Sequence, residues 1–162
     1  MREDAWHSNF PVRLSNEVSG GALTVLETVN AVGTGPPLHR HHKTEVFRVL
    51  DGEYLYEVDG RRFRAVTGDV ASVPVGAAHT FTNISSGPAR QLVMMLPAMD
   101  ARRFFTELGE LMARGRPDMA TLNAFGARGV LSFWGLRFTR RSDRNRRLIM
   151  GLRWSRRVFQ SL

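Results

Sequence analysis

The 162-residue chain contains no cysteine. That absence removes disulfides, thiolate nucleophiles and zinc–thiolate sites together, so any metal ion must be held through nitrogen and oxygen. No stretch approaches the roughly 18 uninterrupted apolar residues of a membrane span. The opening residues Met1-Arg2-Glu3-Asp4-Ala5-Trp6-His7 also lack the apolar core of a secretory signal, so a cytoplasmic location is expected. Acidic residues run short in one region only. The formal net charge is +8, yet residues 1 to 136 carry 14 Lys+Arg against 14 Asp+Glu, while residues 137 to 162 carry 9 Arg against the single Asp143. The body is balanced and makes no strong case for nucleic acid; any question about a basic surface belongs to the tail.

The length suits one domain with a real core plus an appendage. Residues 1–97 read as a β body with an N-terminal arm, 98–136 as a helical extension packed on it, and 137–162 as a basic tail. The arm, residues 1 to 17, has no clean period and is expected to hold one short strand. Ala22 to Val29 is rich in β-branched residues and reads as another. Gly33-Thr34-Gly35-Pro36-Pro37 ends it, since a ladder does not survive paired prolines.

From His39 to Leu50 the pattern has period two. On one extended strand His39, His41, Glu45, Phe47 and Val49 share a face, and His42, Thr44 and Arg48 point the other way. Lys43 has the inner parity but the wrong chemistry for a core, so a bulge or a mouth position is expected there. Asp59-Gly60 between two short runs signals a hairpin in which Val58 faces Arg61, Glu57 faces Arg62, Tyr56 faces Phe63 and Tyr54 faces Ala65. Further strands are read at Val70–Val73, His79–Ile84 and Gln91–Leu96. About seven short strands between residues 22 and 96 predict a mainly β fold, a small antiparallel barrel or jelly roll. After Pro97 the period becomes helical. Asp100 is a plausible N-cap for Phe104, Phe105, Leu108, Leu111 and Met112, Asp118 for a second helix, and Val130–Trp134 docks on the body.

Three imidazoles and a carboxylate stand out as chemistry. His39 and His41, two apart on a strand, and Glu45, four further on, leave the same face, and a neighbouring strand must supply a fourth ligand, for which His79 is the candidate. A divalent first-row metal prefers such nitrogen and oxygen donors, and four protein ligands on a six-coordinate ion leave positions open for substrate. Any one of these histidines alone is more often an ordinary hydrogen-bonded residue.

Two spaced motifs carry the set. Gly33, five residues, His39-X-His41, three residues, Glu45, six residues and Gly52 form the first; Gly68, five residues, Pro74-X-Gly76, two residues, His79, three residues and Asn83 form the second. The pattern resembles the cupin superfamily at all ten framework positions. The stretch after it is similar to the small single-domain bacterial cupins described as quercetin 2,3-dioxygenase-like. The resemblance implies a double-stranded β-helix with one divalent transition metal on its axis, held by His39, His41, Glu45 and His79. The metal could be Fe, Mn, Ni, Cu, Co or Zn.

Fold membership leaves the chemistry open. Phe47 and Phe81, with Tyr54, Tyr56, Phe63 and Met94 (or its neighbour Met95) on adjoining strands, would form a pocket wall for a flat aromatic molecule; the plainer reading makes each of them core. The first expectation is a metal-dependent dioxygenase acting on a small aromatic or polyphenol-like molecule, with Glu45 as ligand and base. The alternatives are a small-molecule binding or sensing module without turnover, and a metal-assisted isomerase or cyclase. A homodimer is expected. In the tail, Leu148, Ile149, Leu152, Val158, Phe159 and Leu162 recur at roughly helical spacing among arginines, and packing on the body or a second subunit, or a partly disordered end, is favoured over contact with an anionic membrane or nucleic acid.

Overall fold

The structure, a computed structural model, describes residues 10–115, 117–128 and 131–134. Its strands are β1 (Val12–Leu14), β2 (Thr24–Asn30), β3 (Leu38–His41), β4 (Thr44–Asp51), β5 (Glu53–Val58), β6 (Arg61–Val66), β7 (Val70–Val73), β8 (His79–Asn83), β9 (Ala89–Leu96) and β10 (Leu131–Trp134). Helices α1 (Ala101–Ala113) and α2 (Met119–Arg128) separate the last two strands. Every pairing is antiparallel, in two five-stranded sheets ordered β1-β2-β9-β4-β7 and β10-β3-β8-β5-β6. The mainly β fold with C-terminal helices is as expected. Among the described residues no ladder joins the two sheets into a closed barrel.

The stretch expected as one strand from His39 to Leu50 is two, which makes eight strands between residues 22 and 96 rather than seven. β3 belongs to one sheet and β4 to the other, with His42 and Lys43 forming the corner. Two polar residues that cannot enter an apolar interior are suited to such a corner. The Lys43 ammonium anchors it by donating to the backbone carbonyls of Pro97 (3.1 Å) and Ala98 (2.8 Å). Because the corner is two residues long, parity is conserved across it. Odd-numbered residues still point inward, but from opposing sheets.

The β5–β6 hairpin has the expected register, Val58 with Arg61 through Tyr54 with Ala65, and Glu57 meets Arg62 at 2.6 Å. Asp59 and Gly60 take positive φ (47° and 76°), as a tight Asn-Gly or Asp-Gly hairpin turn requires. Gly52 is needed for a second reason besides its φ of 86°. A Cβ there would lie 2.6 Å from both Ala89 Cβ and Ser85 Oγ.

Between the sheets lie Leu26, Phe47, Val49, Tyr54, Tyr56 and Val73, all fully buried, each contributing on the order of 1.5–3 kcal/mol for the larger side chains. Phe47, Tyr56 and Phe81 pack ring against ring across the interior, with centroids 5.3 to 6.0 Å apart. The tyrosine hydroxyls cross to the facing sheet. Tyr54 donates to Asn30 Oδ1 (3.0 Å) and Tyr56 to Gln91 Oε1.

Both helix caps are where the sequence put them: Asp100 accepts from Arg103 N (3.0 Å) and Asp118 from Thr121 N (2.7 Å). Phe105 stacks on Phe10 of the arm, and Phe104 packs on Phe125 of α2. The apolar run after α2 docks as a strand, β10, paired with β3 from Leu131–His41 to Trp134–Leu38. The tail 137–162 and its proposed helix lie outside the described residues, as does Trp6. No helix among the described residues is long and apolar enough to cross a membrane.

Candidate metal centre

Four donors meet where the two sheets face one another. β3 supplies His39 and His41, β8 supplies His79 in register with His39, and β4 supplies Glu45 from the opposing sheet. One ligand atom from each of the four lies within 4.8 Å of all the others. His41, Glu45 and His79 are buried, and His39 is half-buried on the open side of the cluster. His42 is exposed and takes no part.

The ring orientations are set from behind. His39 Nδ1 donates to the carbonyl of Pro37 (2.8 Å) and His79 Nδ1 to that of Ala77 (3.0 Å), in each case two residues earlier in the chain. A ring whose Nδ1 carries the proton keeps its Nε2 lone pair for a cation. His41 is held differently, with its Nδ1 3.3 Å from the backbone N–H of Lys43.

Electrostatics suit a positive ion. Burial pushes the Glu45 carboxyl up, but the adjacent His41 and His79 rings outweigh it and hold the pKa down at about 2. Burial, reinforced by repulsion from His79, pushes His39 down to about 4, so that this ring is neutral at pH 7. Glu45 Oε2 lies 2.8 Å from His79 Nε2 and 3.4 Å from His41 Nε2. With Nδ1 of His79 donating to Ala77, the 2.8 Å contact needs either a proton on Nε2 or a cation shared by the two atoms. Adjacent ligands on an ion with bonds of about 2.1 Å sit roughly 3 Å apart, close to both spacings. Among the described residues His41 Nε2 is buried with no hydrogen-bond partner, which a metal bond would satisfy with the ring proton on Nδ1, at the expense of the long 3.3 Å contact from Lys43 N. The residues therefore fit a divalent first-row metal.

A family model described as a cupin domain matches residues 26–95. Residues 26–95 are a cupin domain. Among curated proteins the chain is 28% identical over 83 residues to an uncharacterized protein of Methanocaldococcus jannaschii, covering 51% of this chain and 66% of that one. It is 31% identical over 71 residues to the quercetin 2,3-dioxygenase of Bacillus subtilis, covering 43% of this chain and 21% of that enzyme. The matches thus span less than two thirds of either relative. Among solved structures the cupin domain of Schizosaccharomyces pombe Cnp3 aligns with a TM-score of 0.50 at 20% identity, over 54% of this chain and 59% of that one, a likeness of fold.

Within the cupin domain the aromatic residues read from the sequence divide. Phe47, Tyr54 and Tyr56 are fully buried among one another and form the core behind the four candidate donors; Phe81 is buried beside them and Phe63 stacks on Tyr56 at its edge. Met94 is corrected. It pairs with Val46 and Val25 on the outward face of its sheet, while Met95 pairs with Glu45, is buried, and lies on the ligand side. The run Gln91–Leu96 is apolar on both parities from Leu92 onward, so only the β4–β9 register decides which methionine faces in. Asn83 of the second motif is no ligand: its side chain is buried and bonds Asn30 O, Gly87 O and Ser85 N. Sequence reading missed the carbonyls of Pro37 and Ala77. Backbone groups leave no signal in residue type.

Proposed function

We propose that the chain is a metal-dependent dioxygenase of the quercetinase-like kind, acting on a small aromatic or polyphenol-like molecule. The observation that carries this reading is the convergence of three imidazoles and one carboxylate, with ligand atoms within 4.8 Å, inside a cupin domain. The likeness to quercetin 2,3-dioxygenase supports this choice among the chemistries the fold hosts.

One divalent transition metal held by His39, His41, Glu45 and His79 would supply Lewis acidity to a substrate hydroxyl. The chain's own groups do the rest. Glu45, ionised at neutral pH with its pKa at about 2, is the carboxylate of the set that would take the hydroxyl proton, and at that pKa it would do so only from a hydroxyl already acidified by that Lewis acidity. The Pro37 and Ala77 carbonyls keep His39 and His79 from turning. Phe47, Phe81, Tyr54 and Tyr56 back the site with an apolar floor that excludes water, so the substrate approaches from the side of half-buried His39, with Phe63 at the rim of that floor.

Anaerobic titration of the metal-loaded chain with a flavonol is expected to shift the flavonol absorption band, and admitting air to consume oxygen. An unchanged band together with no oxygen uptake across a polyphenol panel would sink the proposal. Product mass separates the other readings: an isomerase or cyclase leaves mass unchanged, and a binding or sensing module returns its ligand intact. We further infer a homodimer of cytoplasmic location. Val25, Met94 and Val46 lie in register across the outward face of the first sheet, a half-buried apolar row suited to a second copy; light scattering at the monomer mass would contradict it.

A further inference from the structure

The loop Pro74–Ala78 touches both histidine strands. Gly76 N donates to the carbonyl of His41 (2.9 Å), and the carbonyl of Ala77 receives His79 Nδ1 (3.0 Å). The far end of this loop is gripped by a residue from elsewhere. Asp59 N donates to Ala78 O (2.7 Å), and Ala78 N donates back to Asp59 Oδ1 (2.9 Å). Val58, the neighbour of Asp59, is the ladder partner of His79, so the reciprocal pair closes the β5–β8 ladder immediately beside the ligand.

The turn alone does not require a carboxylate. With φ at 47°, position 59 lies in the left-handed region, which glycine occupies at least as easily. What aspartate adds is the acceptor for Ala78 N. We propose that Asp59 is a positioning residue for the metal centre: by clamping Ala78 it holds the Ala77 carbonyl in place and so keeps the His79 ring turned with Nε2 toward the other three ligands. This rests on the metal-centre reading. Removing an outer hydrogen-bond partner of a metal ligand typically costs 10–100-fold in metal affinity. Asp59 acts one step further out and in contact with solvent, so the lower end applies.

The test is titration of the full chain with Co2+, following calorimetric affinity and the visible absorption band that reports coordination geometry. Asp59→Gly keeps the turn and deletes the acceptor. It is expected to bind Co2+ about tenfold more weakly and with an altered visible band, with unchanged far-UV circular dichroism. Asp59→Asn keeps an acceptor oxygen at the same reach, tolerates positive φ, and is expected to match wild type in both readouts. Should the glycine variant not fold, Asp59→Ser, whose hydroxyl stops one bond short of Ala78 N, replaces it with the same expectation. Wild-type affinity and spectrum in the glycine or serine variant would overturn the proposal, and so would equal weakening in the asparagine variant, because charge rather than the clamp would then be responsible. No Co2+ binding by the wild-type chain would overturn the metal-centre reading itself, and this inference with it.

Discussion

Glu45 Oε2 and His79 Nε2 meet at 2.8 Å from opposing sheets, a buried carboxylate and a buried imidazole thirty-four residues apart in the chain. Each is held where it is by the ladder behind it, and His41 joins them at 3.4 Å. This is the contact on which the proposed chemistry depends.

Replacing Glu45 by Gln is therefore expected to reduce affinity for a divalent metal by more than the roughly 100-fold that marks the upper range for outer partners. Elemental analysis of natively purified protein provides the check, with His79→Ala alongside. Metal retained unchanged in the His79 variant would remove the four-ligand description.

Acid should destabilise the chelator-treated chain in two windows. His39 falls from 6.5 to about 4 on folding, so the unfolded chain binds the extra proton first, and stability present above pH 6.5 is lost as pH falls toward 4. Glu45 falls from 4.5 to about 2, so its contribution is present above pH 4.5 and lost as pH falls toward 2. Urea midpoints of His39→Gln should lack the first slope and those of Glu45→Gln the second. Parallel curves for wild type and both variants would contradict the assignment.

Tyr56→Phe leaves Gln91, whose Nε2 is already buried without a hydrogen-bond partner among the described residues, with its Oε1 unpaired as well. A loss of about 1–3 kcal/mol is expected in denaturant unfolding. The double variant Tyr56→Phe/Gln91→Leu removes both partners and should recover most of it. Equal losses in the single and double variants would mean that the bond contributes little.

Phe47→Ala empties the middle of the interior, where the ring meets both Tyr56 and Phe81. A cost of about 3–5 kcal/mol is expected. A change under about 1 kcal/mol, well short of that core range, would reassign Phe47 from core to an open pocket wall.

Two truncations separate β10 from the tail. Deleting residues 137–162 leaves β10 on β3 and is expected to preserve metal binding. Deleting 129–162 strips the ladder from the strand that carries His39 and His41 and exposes its edge. Weaker metal binding and concentration-dependent aggregation are expected, the latter measured by light scattering. Identical behaviour of the two truncations would show that β10 does not support the site.

Much of this was legible in residue order. The β5–β6 register followed from Asp59-Gly60 alone, because a two-residue turn leaves a single pairing open to Tyr54, Tyr56 and Phe63. The helix caps Asp100 and Asp118 were readable because capping is a local bond. Met94 was misplaced for the opposite reason: with apolar residues on both parities, β9 carries no pattern to say which face is inner.

The ligand set shows the same division. Sequence by itself singled out His39, His41, Glu45 and His79 as the candidate donors and set His42 aside, because spacing and parity are properties of the chain. Only the tertiary structure decided that Glu45 reaches them from the other sheet, across a corner at His42 and Lys43, and that carbonyls of Pro37 and Ala77 set two of the rings. Parity counts residues and survives a two-residue corner unchanged, so it reports which side chains face inward but not from which sheet. The backbone groups that aim them are the same at every position and become specific only once the chain is folded.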